Sequence, residues 1–209
     1  MSEGTGLLAV WMDVAAENEG DLNRWYETEH LSERMAVPGF LTARRYVSQE
    51  GEPKFVALYD LEAPAVLQSD AYMQIRRNAT PLTREVGRML KANVRNEYEL
   101  LKSIGAWDAA PYTLLVRLET EPAHDAELNR WYDEEHLAAL AGVPGVSGAR
   151  RYRALVGTPK YLAVYQLAAP DVAQSDAWRK AADTPWTLKM RPLFKNQGRN
   201  VARLITALP

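Results

Sequence analysis

The chain has 209 residues, 25 Lys+Arg against 27 Asp+Glu, and no cysteine. A balance without long runs of one sign excludes the usual nucleic-acid and membrane-surface binders and leaves a small-molecule ligand as the expected partner. The missing thiols remove disulfides, thiolate metal sites and cysteine nucleophiles together, while the lack of a basic-then-apolar leader or of a run near the roughly 20 apolar residues of a span predicts a cytoplasmic protein.

Residues 7–14 form an apolar run bounded by polar residues and read as a strand. A helix follows: acidic and glycine residues around Glu19 to Asp21 signal its start, and Val37-Pro38-Gly39 its end. Residues 40–47 and 55–61 alternate as two strands around the turn Gly51-Glu52-Pro53. Ala63-Pro64 opens a second helical stretch, which Thr80-Pro81 interrupts because proline lacks the donor a helix interior needs. Residues 94–101 close the unit as a fourth strand. The order βαββαβ is the ferredoxin-like, split βαβ arrangement.

From Tyr112 the same signals return. At an offset of 106, 14 of the 24 positions in 23–46 recur in 129–152, and 63–71 matches 169–177 at seven of nine. Beyond Asp70 and Asp176 the offset becomes 104, so that Thr80-Pro81 answers Thr184-Pro185. This predicts a tandem duplication with units 1–106 and 107–209. A four-stranded sheet with both helices on one face leaves its other face bare. The expected fold is therefore α+β, two ferredoxin-like βαββαβ repeats packed sheet to sheet as an intramolecular barrel.

The segment Asn-Arg-Trp-Tyr-x-x-Glu-His-Leu, at 23–31 and again at 129–137, carries the chemistry. At 100° per residue, Glu29 falls between Trp25 and Tyr26 on the helix, with His30 at the edge of that apolar arc. Glu135, Trp131, Tyr132 and His136 repeat the arrangement. A carboxylate beside two aromatics must pair with a cation or take a raised pKa. Two readings follow. In one, alternation sends one arginine of each pair, Arg44-Arg45 and Arg150-Arg151, from the second strand toward Glu29 and Glu135 as a structural clip between helix and sheet. In the other, these residues line a cleft in which His30, His136, Glu29 and Glu135 do acid and base work and Tyr26 and Tyr132 donate to a developing oxyanion. Two of the chain's three histidines occupy this repeated position; the third, His124, has no counterpart and reads as solvated.

The copies differ where Trp11 becomes Arg117, Thr28 becomes Glu134, Phe40-Leu41 becomes Val146-Ser147 and Tyr72 becomes Trp178. Trp25, Trp131, Arg45, Arg151, Trp11 and Arg117 are the expected ligand contacts, and the differences read either as one half binding a ligand while the other supports it or as surface drift after duplication. Asp13 and Glu119 read as caps. No multi-carboxylate or His-x-x-x-His cluster, Gly-rich phosphate loop or Gly-x-Ser-x-Gly is present, so no metal and no cofactor is expected.

Trp-Tyr-x-x-Glu-His-Leu, followed by Val-Pro-Gly and Ala-Arg-Arg-Tyr, resembles the dimeric α+β barrel superfamily, and within it the EthD-like branch. Members usually build the barrel from two chains, so the resemblance implies a covalent version here, with a possible further homo-oligomer. It also implies a pocket between sheet and helices in each half. In catalytic relatives that pocket serves cyclases, dehydratases, isomerases and monooxygenases, often without metal, and haem occurs in the wider superfamily. His30 and His136 carry over as acid/base residues with Tyr26 and Tyr132 beside them. The implied function is cofactor-independent lyase, isomerase or cyclase chemistry on an aromatic or polyketide-like ligand, the alternative being a non-catalytic binder or a structural barrel. One departure stands out: where the EthD-like pattern often runs His-x-Pro, this chain has His30-Leu31-Ser32 and His136-Leu137-Ala138.

Overall fold

The computed structural model describes residues 4–209. β1 (Gly6–Val14) leads into α1 (Glu19–Trp25), a π-helical turn (Tyr26–His30) and α2 (Leu31–Met35). β2 (Phe40–Glu50) and β3 (Phe55–Leu61) follow as a hairpin, then α3 (Asp70–Arg77), α4 (Pro81–Met89) and the long β4 (Leu90–Gly105). The order then returns: β5 (Tyr112–Glu119), α5 (Asp125–Trp131), a second π-helical turn (Tyr132–His136), α6 (Leu137–Ala141) and β6 (Val146–Val156). β7 (Tyr161–Leu167), α7 (Asp176–Ala182), α8 (Pro185–Met190) and β8 (Lys195–Leu208) complete it. Gly39 and Gly145 end the Val-Pro-Gly turns at a φ of 93° each. A Cβ at either would run into Val66 or Val172, so glycine is required twice over. Among the described residues no helix is long and apolar enough to cross a membrane.

The eight strands close into one antiparallel barrel in the order β1-β3-β2-β8-β5-β7-β6-β4. Each half supplies four neighbours, and the halves join through β2–β8 and β4–β6. The expected fourth strand, 94–101, is shorter than the observed one because β4 does two jobs. It pairs with β1 from Leu90 to Glu99 and with β6 from Glu97 to Gly105. The halves are thus hydrogen-bonded along both seams rather than stacked as two layers with free edges, and closure leaves no strand edge open.

Alternation sends each strand's side chains either outward under the helices or into the barrel. Outward lie Leu8, Ala43 and Tyr59 in the first half and Leu114, Ala149 and Tyr165 in the second. Inward, Trp11, Tyr46, Leu58, Tyr98, Leu115 and Tyr152 form a third core. Polar groups complete the filling. Asp60 accepts hydrogen bonds from Arg44 Nη2, from Thr42 Oγ1 at 2.8 Å and from Trp107 Nε1 at 3.1 Å, with Arg150 Nη1 3.7 Å away. Both guanidinia also face the Trp107 ring, at 5.3 and 4.2 Å. Further along, the Arg117 guanidinium lies 4.5 Å from the Trp11 ring centre and donates to Glu52 O at 3.0 Å and Asn200 Oδ1 at 3.2 Å. Trp11 and Arg117, expected as ligand contacts, therefore pack on each other inside the barrel, away from the motif helices.

Candidate functional site

The site begins with the π-helical turn. The Leu31 N–H donates to the Tyr26 carbonyl and the Leu137 N–H to the Tyr132 carbonyl, each five residues back. A regular α-helix would set Trp25 and His30 about 140° apart. One extra residue in the turn brings positions i and i+5 onto the same face. The rings accordingly meet, Trp25 and His30 tilted by 34° at 3.9 Å between centroids and Trp131 stacked on His136 at 4.0 Å. The tyrosines meet the same histidines edge-on, at 5.1 and 5.3 Å. The uniform helical wheel thus puts His30 at the edge of the arc, whereas the widened turn carries it onto the aromatic face.

Glu29 does not pair with Arg45. Its Oε1 accepts hydrogen bonds from Thr80 Oγ1 at 2.6 Å and Thr83 Oγ1 at 2.7 Å, and Thr83 in turn accepts from Trp25 Nε1 at 2.9 Å. Partial burial pushes the carboxyl pKa up, but the hydrogen bonds from Thr80, Thr83 and Trp25 outweigh it and hold the group below its ordinary value. Glu135 repeats this with Thr184 Oγ1 at 2.5 Å, and Trp131 Nε1 donates to Thr187 Oγ1 at 3.3 Å. These carboxylates join the motif helix to α4 and α8 through threonines, in place of the expected arginine bridge from helix to sheet.

Arg45 and Arg151 are each 1% exposed. Their guanidinia lie 4.2 Å from the centres of the Tyr26 and Tyr132 rings, on the side of the sheet, and none of the three nitrogens of either has a hydrogen-bond partner among the described residues. Asp133 lies 3.9 Å from Arg151. Burial raises the Tyr26 and Tyr132 phenols to about 12 against the lowering pull of these arginines, so both remain protonated donors. Tyr26 donates to Met12 Sδ at 3.3 Å.

Beside each aromatic group lies a cleft. The first, about 170 Å³, has walls of Leu8, Val10, Trp25, Tyr26 and His30, with Arg34, Tyr59, Tyr72 and Arg95 around them. The second, about 250 Å³, is built at matching positions by Leu114, Val116, Trp131, Tyr132 and His136, with Leu140, Tyr165, Trp178 and Arg199 around them. Nδ1 of each histidine is sealed from solvent without a hydrogen-bond partner. Burial, then the positive charges of Arg34 and Arg45, hold His30 well below 6.5. Burial, then Arg191 and Arg151, lower His136 to about 3. Both imidazoles are uncharged at neutral pH.

The clefts thus gather His30, Tyr26 and Trp25, and His136, Tyr132 and Trp131. Glu29, Glu135, Arg45 and Arg151 stand one layer behind, and Trp11 and Arg117 elsewhere. Arg34, Tyr59 and Arg95 were not anticipated. Arg34 had a readable signal: it follows His30 by one helical turn on the motif helix, and its counterpart at the same offset is Leu140. No group of three or more potential metal ligands occurs among the described residues.

No family model matches the chain, and no curated protein does. Solved structures do. An anthrone oxidase-like protein superposes with a TM-score of 0.69 at 13% identity, covering 99% of this chain and 93% of that one. A candidate monooxygenase from Fusobacterium nucleatum subsp. nucleatum gives 0.66 at 9% identity over 99% and 95%. A variant chlorite dismutase from Candidatus Nitrospira defluvii gives 0.60 at 12% identity over 97% and 92%. Haem does not fit the residues present, because clefts of about 170 and 250 Å³ lie below even the roughly 300 Å³ at which pockets for drug-sized ligands begin. At these identities the likeness is one of fold alone, an α+β fold with a closed eight-stranded antiparallel barrel and helices on its outside.

Proposed function

We propose that the chain is a small-molecule enzyme acting by proton transfer in its two clefts, of lyase, isomerase or cyclase type and independent of any cofactor. One observation carries the reading: in each half an uncharged imidazole, packed against tryptophan with one nitrogen sealed and unpartnered, lines a largely apolar cleft. A neutral imidazole can take a proton from a carbon acid or donate a hydrogen bond to its oxygen. His30 and His136 handle the proton, Tyr26 and Tyr132 stand beside them as protonated phenols, and Glu29 and Glu135 position the helix. A flat, oxygen-bearing aromatic or polyketide-like ligand suits walls of Leu8, Val10 and Trp25. The matching positions of the two clefts support reading the chain as two duplicated ferredoxin-like units, and the motif supports the EthD-like branch; pairing of whole barrels into a homo-oligomer is part of the same proposal.

A second reading, binding without turnover, is favoured by the depressed pKa of His136, since a base far below the operating pH is a weak one. Hydrogen–deuterium exchange separates the two. Thermal shift across aromatic acids, lactones and polyketide fragments supplies a ligand, and NMR then follows loss of its acidic C–H signals in D2O. Catalysis requires exchange faster than in buffer and its loss in the His30→Ala/His136→Ala variant. Binding with exchange at the buffer rate leaves a carrier. A variant that melts several degrees lower, with no ligand found, reduces the motif to a clip.

A further inference from the structure

The two clefts share their aromatic wall but not their charge, and the difference sits on one helical turn. Arg34, four residues after His30, is 9% exposed and its Nη1 is buried with no hydrogen-bond partner. The nearest carboxylate, Glu33, lies 3.5 Å from Nη1, an ion pair outside hydrogen-bonding geometry. The guanidinium stands 5.4 Å from the centre of the Tyr72 ring, whose hydroxyl accepts from Arg95 Nη2 at 3.0 Å. Arg95 is further occupied by Glu97 at 2.7 Å. Arg34 is therefore the buried cation in this cleft with donor capacity unspent, and Arg76 adds exposed positive charge among the lining residues. In the second cleft the matching positions are Leu140 and Ala182. Its two arginines are already matched, Arg191 with Asp183 and Arg199 with Glu50 at 2.9 Å.

A guanidinium taken out of water with an idle donor costs free energy that an anion would recover, because hydrogen bonds between charged partners are the strong ones. The apolar wall of Leu8, Val10 and Leu90 asks for a flat ring beside that anion. Resting on the reading of both clefts as ligand sites, we infer that the first cleft selects an aromatic monoanion, its carboxylate on Arg34, whereas the second takes neutral aromatic ligands. The two halves then differ in substrate class, with Arg34 and Leu140 as the selecting residues.

The three histidines make the test direct, since the imidazole Cε1–H region of the NMR spectrum holds three signals that single His→Ala variants assign. Benzoate and 1-naphthoate are titrated against benzamide and 1-naphthamide. The carboxylates are expected to shift His30 saturably at least about tenfold more tightly than their amides, the worth of one charge-assisted hydrogen bond, and His136 is expected to show no such preference. Arg34→Leu, which installs the residue the other half carries, should remove the preference at His30 while leaving amide binding in place. Arg34→Lys should keep part of it. Equal affinities for acid and amide at His30, or an acid preference that survives Arg34→Leu, overturn the inference and leave the cleft reading intact. Silence of both histidines toward every probe overturns both together.

Discussion

An imidazole that folding forces to stay neutral makes stability depend on pH. His136 titrates near 6.5 when unfolded and at about 3 when folded, and His30 is displaced in the same direction. Between those values the unfolded chain binds protons that the folded chain does not, so stability is complete above about pH 6.5 and falls as the pH drops toward 3. Each histidine contributes a slope of about 1.4 kcal/mol per pH unit. Urea unfolding at pH 7, 6 and 5, above most carboxylate titrations, should lose roughly 1–3 kcal/mol per unit. The His30→Gln/His136→Gln variant should flatten that loss. An unchanged slope in the variant would mean that these rings are solvated and that the sealed Nδ1 atoms are not as described. The same burial explains how far the site was legible. Motif composition sufficed to mark His30, Tyr26 and Trp25 as candidates, and all three line the first cleft, but whether a partly buried carboxylate meets arginine or threonine depends on a neighbour some fifty residues distant, which local spacing does not encode.

The π-helical turn converts that composition into a cleft wall, because it lets Trp25 and His30 share a face while Glu29 reaches away to α4. Thr80 holds this contact from the other side. Its hydroxyl accepts from the Thr83 N–H at 3.0 Å, capping α4, and donates to Glu29. Thr80→Val removes both bonds and should cost about 1–3 kcal/mol, a lost cap plus a weakened carboxylate. Thr184→Val should do the same at α8. Measured by urea unfolding, a loss under about 0.5 kcal/mol in both would show that the clip contributes little and that the aromatic packing alone seats the helix. Thr80-Pro81 was legible as a helix boundary, and residues 55–61 of the sequence coincide with β3, since proline chemistry and alternation are local. The widened turn was not. Nothing in Tyr-Glu-Thr-Glu-His distinguishes it from an α-helical turn until the packed indole and the threonines of the next helix are in place.

At the scale of the whole molecule, a barrel closed by two seams requires each half to complete the other. The seams themselves lay beyond the sequence pattern, because β2 pairs from Ala43 to Glu50 with β8 at Leu208 to Val201, and β4 from Glu97 to Gly105 with β6 at Val156 to Gly148, all partners in the other half. The repeated sequence pattern suggested symmetry, yet the interior is asymmetric. Asp60 serves both Arg44 and Arg150, while the matching position in the second half is Gln166, whose side chain accepts from the Ala110 N–H. Asp60→Leu would remove the carboxylate that faces two buried guanidinia and should cost about 3–5 kcal/mol, whereas Gln166→Leu should cost less. Asymmetry also decides what a lone half can do. Residues 1–106 expose the β2 and β4 edges that normally meet β8 and β6, and a second copy offers edges of the same kind, so the fragment should dimerise rather than fold alone. Its interior would be poorer, however: Trp11 would face another Trp11 instead of Arg117, and four like-placed charges, two Arg44 and two Asp60, would replace the tuned set. Light scattering coupled to gel filtration should therefore find a dimer that dissociates and unfolds together on dilution, with a melting temperature dependent on concentration. A folded monomer of 106 residues would mean that each sheet is stable with its inner face bare, and that the closed barrel is an addition to the units rather than the condition for their folding.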